Sequence, residues 1–307
     1  MAIGGPAAVQ AQAWPSRPIT LVVAFTPGAA SDYTARIIAQ GLSEVLGQPV
    51  VVESKTEGGG AIASTAVAKA LPDGYILLIT TIGPAVLRPL IDHQLSYDAV
   101  ADFTPIVLVG DTPNVLVTGP TSTFGTVQEV IAYTKQNPGR LTIAHPGVGT
   151  MGHLTALLFA AQAGIGANFV AYRGSSAILS DLVGGHIDLG SIAYSSGTSA
   201  ARILAVTTEE RLPLLPSIRT MRECNLPNVI GSTWHGIFAP AGLEADVASR
   251  LNAAANAFLD KAETRQRLGA IGYRVFGGPP ERLRDRMSAD RAKWSAVISA
   301  ANIAIDP

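Results

Sequence analysis

Two stretches of this chain join an apolar run to a helical pattern through a Pro-Gly and a string of small residues: AFTPGAASDYTARIIAQ at 24–40 and AHPGVGTMGHLTALLFAAQ at 144–162. A helix start leaves about four N–H groups without partners and carries about half a positive charge from the helix dipole. Small residues let a ligand reach that backbone, so each junction is suited to hold an anion. Taken singly, either junction is equally well explained as a turn with close packing. The matched pair predicts two loops, one on each of two domains, that face a shared cleft. A third junction, EGGGAIASTAVAKA at 57–70, also passes from a strand through glycines into a helix.

The kind of anion follows from what the loops lack. A Walker-type phosphate loop needs G-x-x-x-x-G-K-[ST], and no lysine follows the glycines of the matched pair. GVGTMG at 147–152 fits G-x-G-x-x-G, but the predicted strand 168–172 is followed by Arg173, where a dinucleotide site requires an acid. A carboxylate needs only a few aimed N–H and O–H donors and little net charge. Thr26, Ser31, Thr80, Thr81, Thr150 and Ser191 fall at predicted strand ends or helix starts. Charge-assisted hydrogen bonds contribute about 1.5–3 kcal/mol each, so a handful gross roughly 10 kcal/mol against about 8 for micromolar binding. An arginine is therefore not required. Pro27, Gly28, Ala29 and Ala30 supply the backbone of the first loop, Gly147 and Gly149 that of the second. Asp32 has two roles open to it. It favours its own helix N-terminus, or it accepts from a ligand hydroxyl, amine or bridging water.

The elements that must position these loops are legible in the apolar pattern. The predicted strands are 19–25, 49–53, 75–80, 105–118, 141–144, 168–172, 187–192, 202–207 and 233–239. The predicted helices are 31–46, 60–70, 126–136, 150–163, 175–183, 244–258, 262–268 and 280–301. Continuously apolar strands alternating with helices indicate an α/β fold with largely parallel sheets. Thr126 followed by Glu129 is a capping-box arrangement.

The bulk numbers narrow the function classes. Hydrophobic residues make up 48% of the 307 and charged residues 15%, so the chain has a large core to bury. Lys plus Arg is 22, Asp plus Glu is 23, and the net charge is −1. Nothing in this balance points to nucleic acid or to an anionic membrane surface. No apolar run approaches the roughly 18 residues that span a bilayer. Cys224 is the one cysteine, and the five histidines are widely spread, so zinc-ligand spacing is absent and no metal or other cofactor is expected.

Residues 1–13 end in Ala11-Gln12-Ala13, the A-x-A form left at a signal-peptidase site. They lack a basic n-region and a longer apolar core. We read them as a trimmed leader remnant, with an ordinary disordered N-terminus as the alternative, and expect the folded chain to begin near Trp14. One enzymatic reading competes. AYSSG at 193–197 approximates the nucleophile elbow G-x-S-x-G. A Ser195 hydrolase would need His235 as base, with Glu209, Glu210 or Glu223 as the acid. His235 falls inside a predicted strand, so no catalysis is expected.

At this point the sequence resembles a known family. WPSRPITLVVAFTPGAASDYTARIIAQGLSEVLGQPVVVE at 14–53 resembles the opening of the Bug family, the substrate-binding proteins of tripartite tricarboxylate transporters. AKALPDGYILLITT (68–81), LSYDAVADFTPI (95–106), AHPGVGTMGHL (144–154), AYRG (171–174), LVGGHIDL (182–189), LAVTTEERLPLLPSIRTMRE (204–223) and STWHGIFAPAG (232–242) agree with it. The resemblance spans 14–305.

It implies a periplasmic protein of the Venus-flytrap type (type II), with two α/β lobes joined by two crossing strands. The implied lobes are 14–116 plus 234–307, and 117–233. A small organic acid would lie between them for delivery to a membrane permease, with the protein itself a monomer outside the membrane. Signalling to a sensor instead of a permease is the alternative output.

Three departures from the family pattern bear on the ligand. Ala29 stands where the second glycine of P-G-G-x-x-D is usual. His145-Pro146 stands where Ser or Thr is usual; the imidazole either meets the ligand or faces water at the rim. The segment after Asp188 is shorter, which leaves Ser191 and Tyr194 as candidates only. His145, Tyr172 and Tyr194 would favour an aromatic carboxylate, although a strand-end tyrosine such as Tyr172 is often core packing.

Overall fold

The computed structural model describes residues 14–24, 30–55 and 58–300. The chain opens with β1 (Ile19–Val23), α1 (Ala30–Leu46), β2 (Val50–Ser54), α2 (Ala61–Ala68) and β3 (Ile76–Thr81). β1 pairs in parallel with β2 and β3. Helices cover both faces of this sheet, which is why β1 reads as an unbroken apolar run. Leu21 and Val23 pack in one core cluster with Ile38 and Leu42 of α1, while Val22 belongs to the cluster on the opposite face.

A π-helical turn at Gly83–Leu87 and a short 3₁₀ turn at Arg88–Leu90 lead on to β4 (Phe103–Thr118). The second half of the fold follows as α3 (Val127–Gln136), β5 (Thr142–His145), α4 (Met151–Ala163), β6 (Asn168–Ala171), α5 (Ser175–Val183), β7 (Leu189–Ala193) and β8 (Arg202–Val206). α3 starts as its sequence predicts: Thr126 accepts from the Glu129 N–H, and Glu129 accepts from the Thr126 N–H. The chain then returns through β9 (Ser232–Pro240) to α6 (Ala245–Leu259), α7 (Ala262–Gly269), β10 (Arg274–Val275) and α8 (Pro280–Ala300).

β4 belongs to two sheets. Its residues 103–113 pair with β9, and its residues 114–118 pair with β7 and β8. β9 pairs with β3 on its other edge. The chain thus crosses between two lobes at Pro113-Asn114 and again at Gly231-Ser232. On the second lobe, Thr207 Oγ1 donates to the carbonyls of Asn114 (2.9 Å) and Gly231 (2.6 Å). On the first lobe, Ser232 Oγ donates to the fully buried Asp111 at 2.7 Å, and two Arg274 nitrogens reach the same carboxylate at 2.7 and 2.6 Å.

The expectation of largely parallel sheets is corrected. β1–β2, β1–β3, β5–β6 and β5–β7 are parallel, whereas every pair made by β4 or β9 is antiparallel. The crossing strands run against both sheets they join, so the sheets are mixed. β10, two residues long, was outside the predicted set because its apolar pattern is too short to register.

Candidate functional site

The second loop is built by β5, which ends at His145, and by α4, which starts after Thr150. Thr150 caps α4: its hydroxyl accepts from the His153 N–H at 3.3 Å and donates to the Gly147 carbonyl at 2.7 Å. α4 begins directly over β7. A methyl on Gly152 would fall 2.3 Å from the Ser191 carbonyl oxygen, so only glycine fits there. Ser191 is itself buried, in register with Leu116.

Two imidazoles stand behind this loop. His145 is 1% exposed, so it does not face water at a rim, and its ring lies against that of His153 with centroids 4.2 Å apart. The Gly149 N–H points at His153 Nδ1 at 3.4 Å, which makes Nδ1 the acceptor and leaves the proton on Nε2. Burial lowers the pKa of His145, and burial together with the neighbouring His145 takes that of His153 down to about 3. Both rings are therefore neutral near pH 7. An anion at this loop would be met by the α4 dipole rather than by a charged imidazole.

The first lobe meets this loop through the turn after β3. A methyl on Gly83 would stand 3.3 Å from the Gly149 carbonyl, 3.6 Å from Thr81 Oγ1 and 3.8 Å from Thr150 Cα. Arg88 and Ile91 pack on Gly149 from the same side: a methyl on Gly149 would be 3.2 Å from Arg88 Cδ and 3.3 Å from Ile91 Cδ1. Arg88 Nε and Nη2 reach Asp92 Oδ2 at 3.0 and 2.9 Å, so the cation at the lobe contact comes with its own carboxylate. A methyl on Gly59, in the third glycine junction, would lie 3.0 Å from Arg88 Nη1 and 3.8 Å from the Val148 carbonyl.

Thr81, Gly147, Gly149 and Thr150 therefore come together across the two lobes. Thr80 does not join them. Successive strand residues point to opposite faces, and Thr80 lines a small cavity of about 10 Å³ inside the first lobe with Ser64, Tyr97 and Phe103. Tyr172 commits its hydroxyl to Asp181 at 2.6 Å. Tyr194 lies against Gly272 of the first lobe, where a methyl would meet its Cδ1 at 2.4 Å. Thr26, Pro27, Gly28 and Ala29 lie outside the described residues. Ala30 and Ser31 open α1. Asp32 is 3% exposed and accepts from Arg36 Nε at 2.9 Å, a pair one helical turn apart.

Ser195 is not arranged as a nucleophile. Its N–H donates to Thr198 Oγ1 at 3.0 Å, its hydroxyl lies 3.4 Å from the same oxygen, and together they cap the short turn Ser196–Ala200. His235 is held in β9 opposite Thr81, with its ring against Tyr273 at 5.5 Å between centroids. Among the described residues no cluster of His, Cys, Asp and Glu suits a metal ion, and no helix is long and apolar enough to cross a membrane.

Sequence reasoning missed His153, Gly83 and Arg88. His153 carries a signal in hindsight, three residues beyond the predicted cap Thr150. Gly83 and Arg88 sit in a turn whose role depends on what the other lobe brings to it.

Comparison with known proteins agrees with this architecture. Residues 34–303 match the model of the tripartite tricarboxylate transporter family receptor. A protein of Pseudomonas sp. strain P51, described as the UPF0065 protein in the tcbD-tcbE intergenic region, is 39% identical over 292 residues, covering 93% of this chain and 87% of its own. BugT of Bordetella pertussis is 31% identical over 96% of this chain and 92% of its own. The structure of R. palustris Rpa4515 with adipate superposes with a TM-score of 0.91 at 34% identity, covering 95% of this chain and 99% of that one.

Proposed function

The chain belongs to the tripartite tricarboxylate transporter receptor family, and from this premise we propose that it captures one small organic carboxylate between its lobes and presents it to a membrane permease. The observation that carries the proposal is the meeting of Gly83 and Thr81 with Gly149 and Thr150 across the cleft. The Thr81 hydroxyl and the α4 dipole suit an anion held between the lobes, while the Thr150 hydroxyl and the Gly149 N–H, committed to Gly147 and His153, fix the shape of the loop. The R. palustris neighbour with adipate makes an aliphatic dicarboxylate the first ligand to test.

The ligand contacts we assign are Thr26 to Asp32 on the first loop, Thr81, and His145, Gly147, Gly149, Thr150 and Ser191 on the second lobe. Thr80 and Tyr194 are left out, and Tyr172 contributes wall rather than hydroxyl. We place the lobes at about 14–113 with 232–307, and 114–231, following the change of strand partners along β4, a few residues from the bounds 116 and 233 expected from sequence. We assign the protein to the periplasm as a monomeric binding protein; Ser195, the candidate nucleophile, serves as a cap.

A thermal-shift panel of aliphatic and aromatic mono-, di- and tricarboxylates tests this function. Ligand that binds only the folded state raises the melting temperature. A panel in which no acid raises it defeats the proposal. Turnover of a chromogenic ester that disappears in Ser195→Ala would replace it with hydrolysis.

A further inference from the structure

A second cavity lies away from the cleft. It has a volume of about 330 Å³ and opens between α8, the turn at 83–90 and the start of β4. Its floor is apolar: Val86, Phe103 and Met287 are all buried. Val100, at its edge, is 64% exposed, an apolar side chain left in water. One wall is α8, where Arg284, Ser288 and Arg291 recur at i, i+4 and i+7 and so share a helix face.

The charged groups of this cavity are the two guanidinium groups, and no carboxylate lines it. Arg284 pairs only loosely with Glu281, at 3.7 Å with both side chains largely exposed. Asp98 is drawn to Arg291, but it is held first by the N–H groups of Ala101 and Val100, at 3.0 and 2.8 Å. Both guanidinium groups are thus placed to meet an incoming anion, and guanidinium matches a carboxylate fork. The apolar floor rewards an apolar body that displaces water. At about 30 Å³ for each liquid water, 330 Å³ corresponds to about eleven waters that an apolar chain would displace.

We propose that this cavity is a second ligand site, taking a monocarboxylate with an apolar body, whose head lies between Arg284 and Arg291. None of the cleft residues lines it, so the site stands apart from the cargo reading. Occupation would tie α8 to the turn that carries Gly83 and Arg88, and so reach the cleft from behind.

Methyl-¹³C methionine labelling separates the two sites, because the chain has four methionines. Met287 reports the α8 cavity and Met151 reports the second-lobe loop. Octanoate below its micelle concentration is the probe, with octylammonium as the control and Met287→Leu to assign the signal. The expected result is a saturable shift of Met287 with octanoate and none with octylammonium. The double variant Arg284→Ala/Arg291→Ala should raise the midpoint at least tenfold with unchanged circular dichroism. Octanoate that moves only Met151, or no methionine, overturns the proposal. So does a double variant that binds octanoate as the parent does, or octylammonium that moves Met287 equally.

Discussion

Gly83 of the first lobe faces Gly149 of the second so closely that a methyl on Gly83 would stand 3.3 Å from the Gly149 carbonyl oxygen. The two lobes touch here through backbone, and a branched side chain at either position would hold them apart. Hinge closure around a ligand depends on such contacts. Gly83→Val is expected to weaken carboxylate binding at least tenfold, about 1.4 kcal/mol, while the melting temperature of the unliganded protein stays close to that of the parent. Calorimetric titration of both proteins with the strongest acid from the thermal-shift panel checks this. Equal dissociation constants would remove the glycine contact from the loaded state.

The buried histidines His153, tilted against His145, and His235 give stability a defined pH dependence. Burial, joined by the neighbouring His145, takes His153 down to about 3, and burial takes His235 to about 4. An unfolded histidine titrates near 6.5. Between these values the unfolded chain binds more protons, so stability is complete above about pH 6.5 and falls as pH drops toward 4. His153→Gln should flatten that fall by about 1.4 kcal/mol per pH unit, one proton's worth. Urea unfolding at pH 7, 6, 5 and 4 reads the slope. A variant with the parent's slope would mean that His153 is protonated in the folded protein.

What was legible in the sequence follows the range of each signal. The β1 and β3 runs, the Thr126–Glu129 cap and the Thr150 junction are local, and local pattern found them. The mixed pairing of β4 was not, because a sixteen-residue apolar strand reads the same whatever runs beside it. Thr80 and Thr81 were grouped as strand-end hydroxyls, although alternation alone sends them to opposite faces. Tyr194 was a candidate through the family resemblance alone, on a wall where this chain is shorter than the family pattern. Its actual partner, Gly272, is far away in sequence and was invisible to that argument. Arg88 went unnoticed because its position is set by Gly59 and Gly149, on two other segments.

The split between Thr80 and Thr81 is itself testable. Thr80 Oγ1 is buried and has no hydrogen-bond partner among the described residues. Leaving a buried hydroxyl unpaired costs about 1–3 kcal/mol. Thr80→Val should therefore keep or raise stability, by up to about 1 kcal/mol, and leave ligand affinity unchanged. Thr81→Val should do the reverse, lowering affinity several-fold with little change in stability. Paired urea and calorimetric titrations distinguish them, and a loss of affinity in Thr80→Val would return that residue to the cleft.

The hinge carboxylate supplies the last test. Asp111 is fully buried beside the crossing at Pro113, and its charge is met by Arg274 from β10 and by the Ser232 hydroxyl from β9. Arg286 extends the cluster: it lies 3.3 Å from Ser232 Oγ and 2.7 Å from Asp290, which also accepts from Trp234. Removing one partner of a buried pair costs about 3–5 kcal/mol because the other charge stays behind. Arg274 is half exposed, so Arg274→Met should fall at the low end, about 3 kcal/mol. Asp111→Asn in the same chain removes the stranded charge and should recover part of that loss. Chemical unfolding of the single and double variants gives the coupling directly. Additive losses would mean that the pair contributes nothing to holding β4, β9 and β10 together at the hinge.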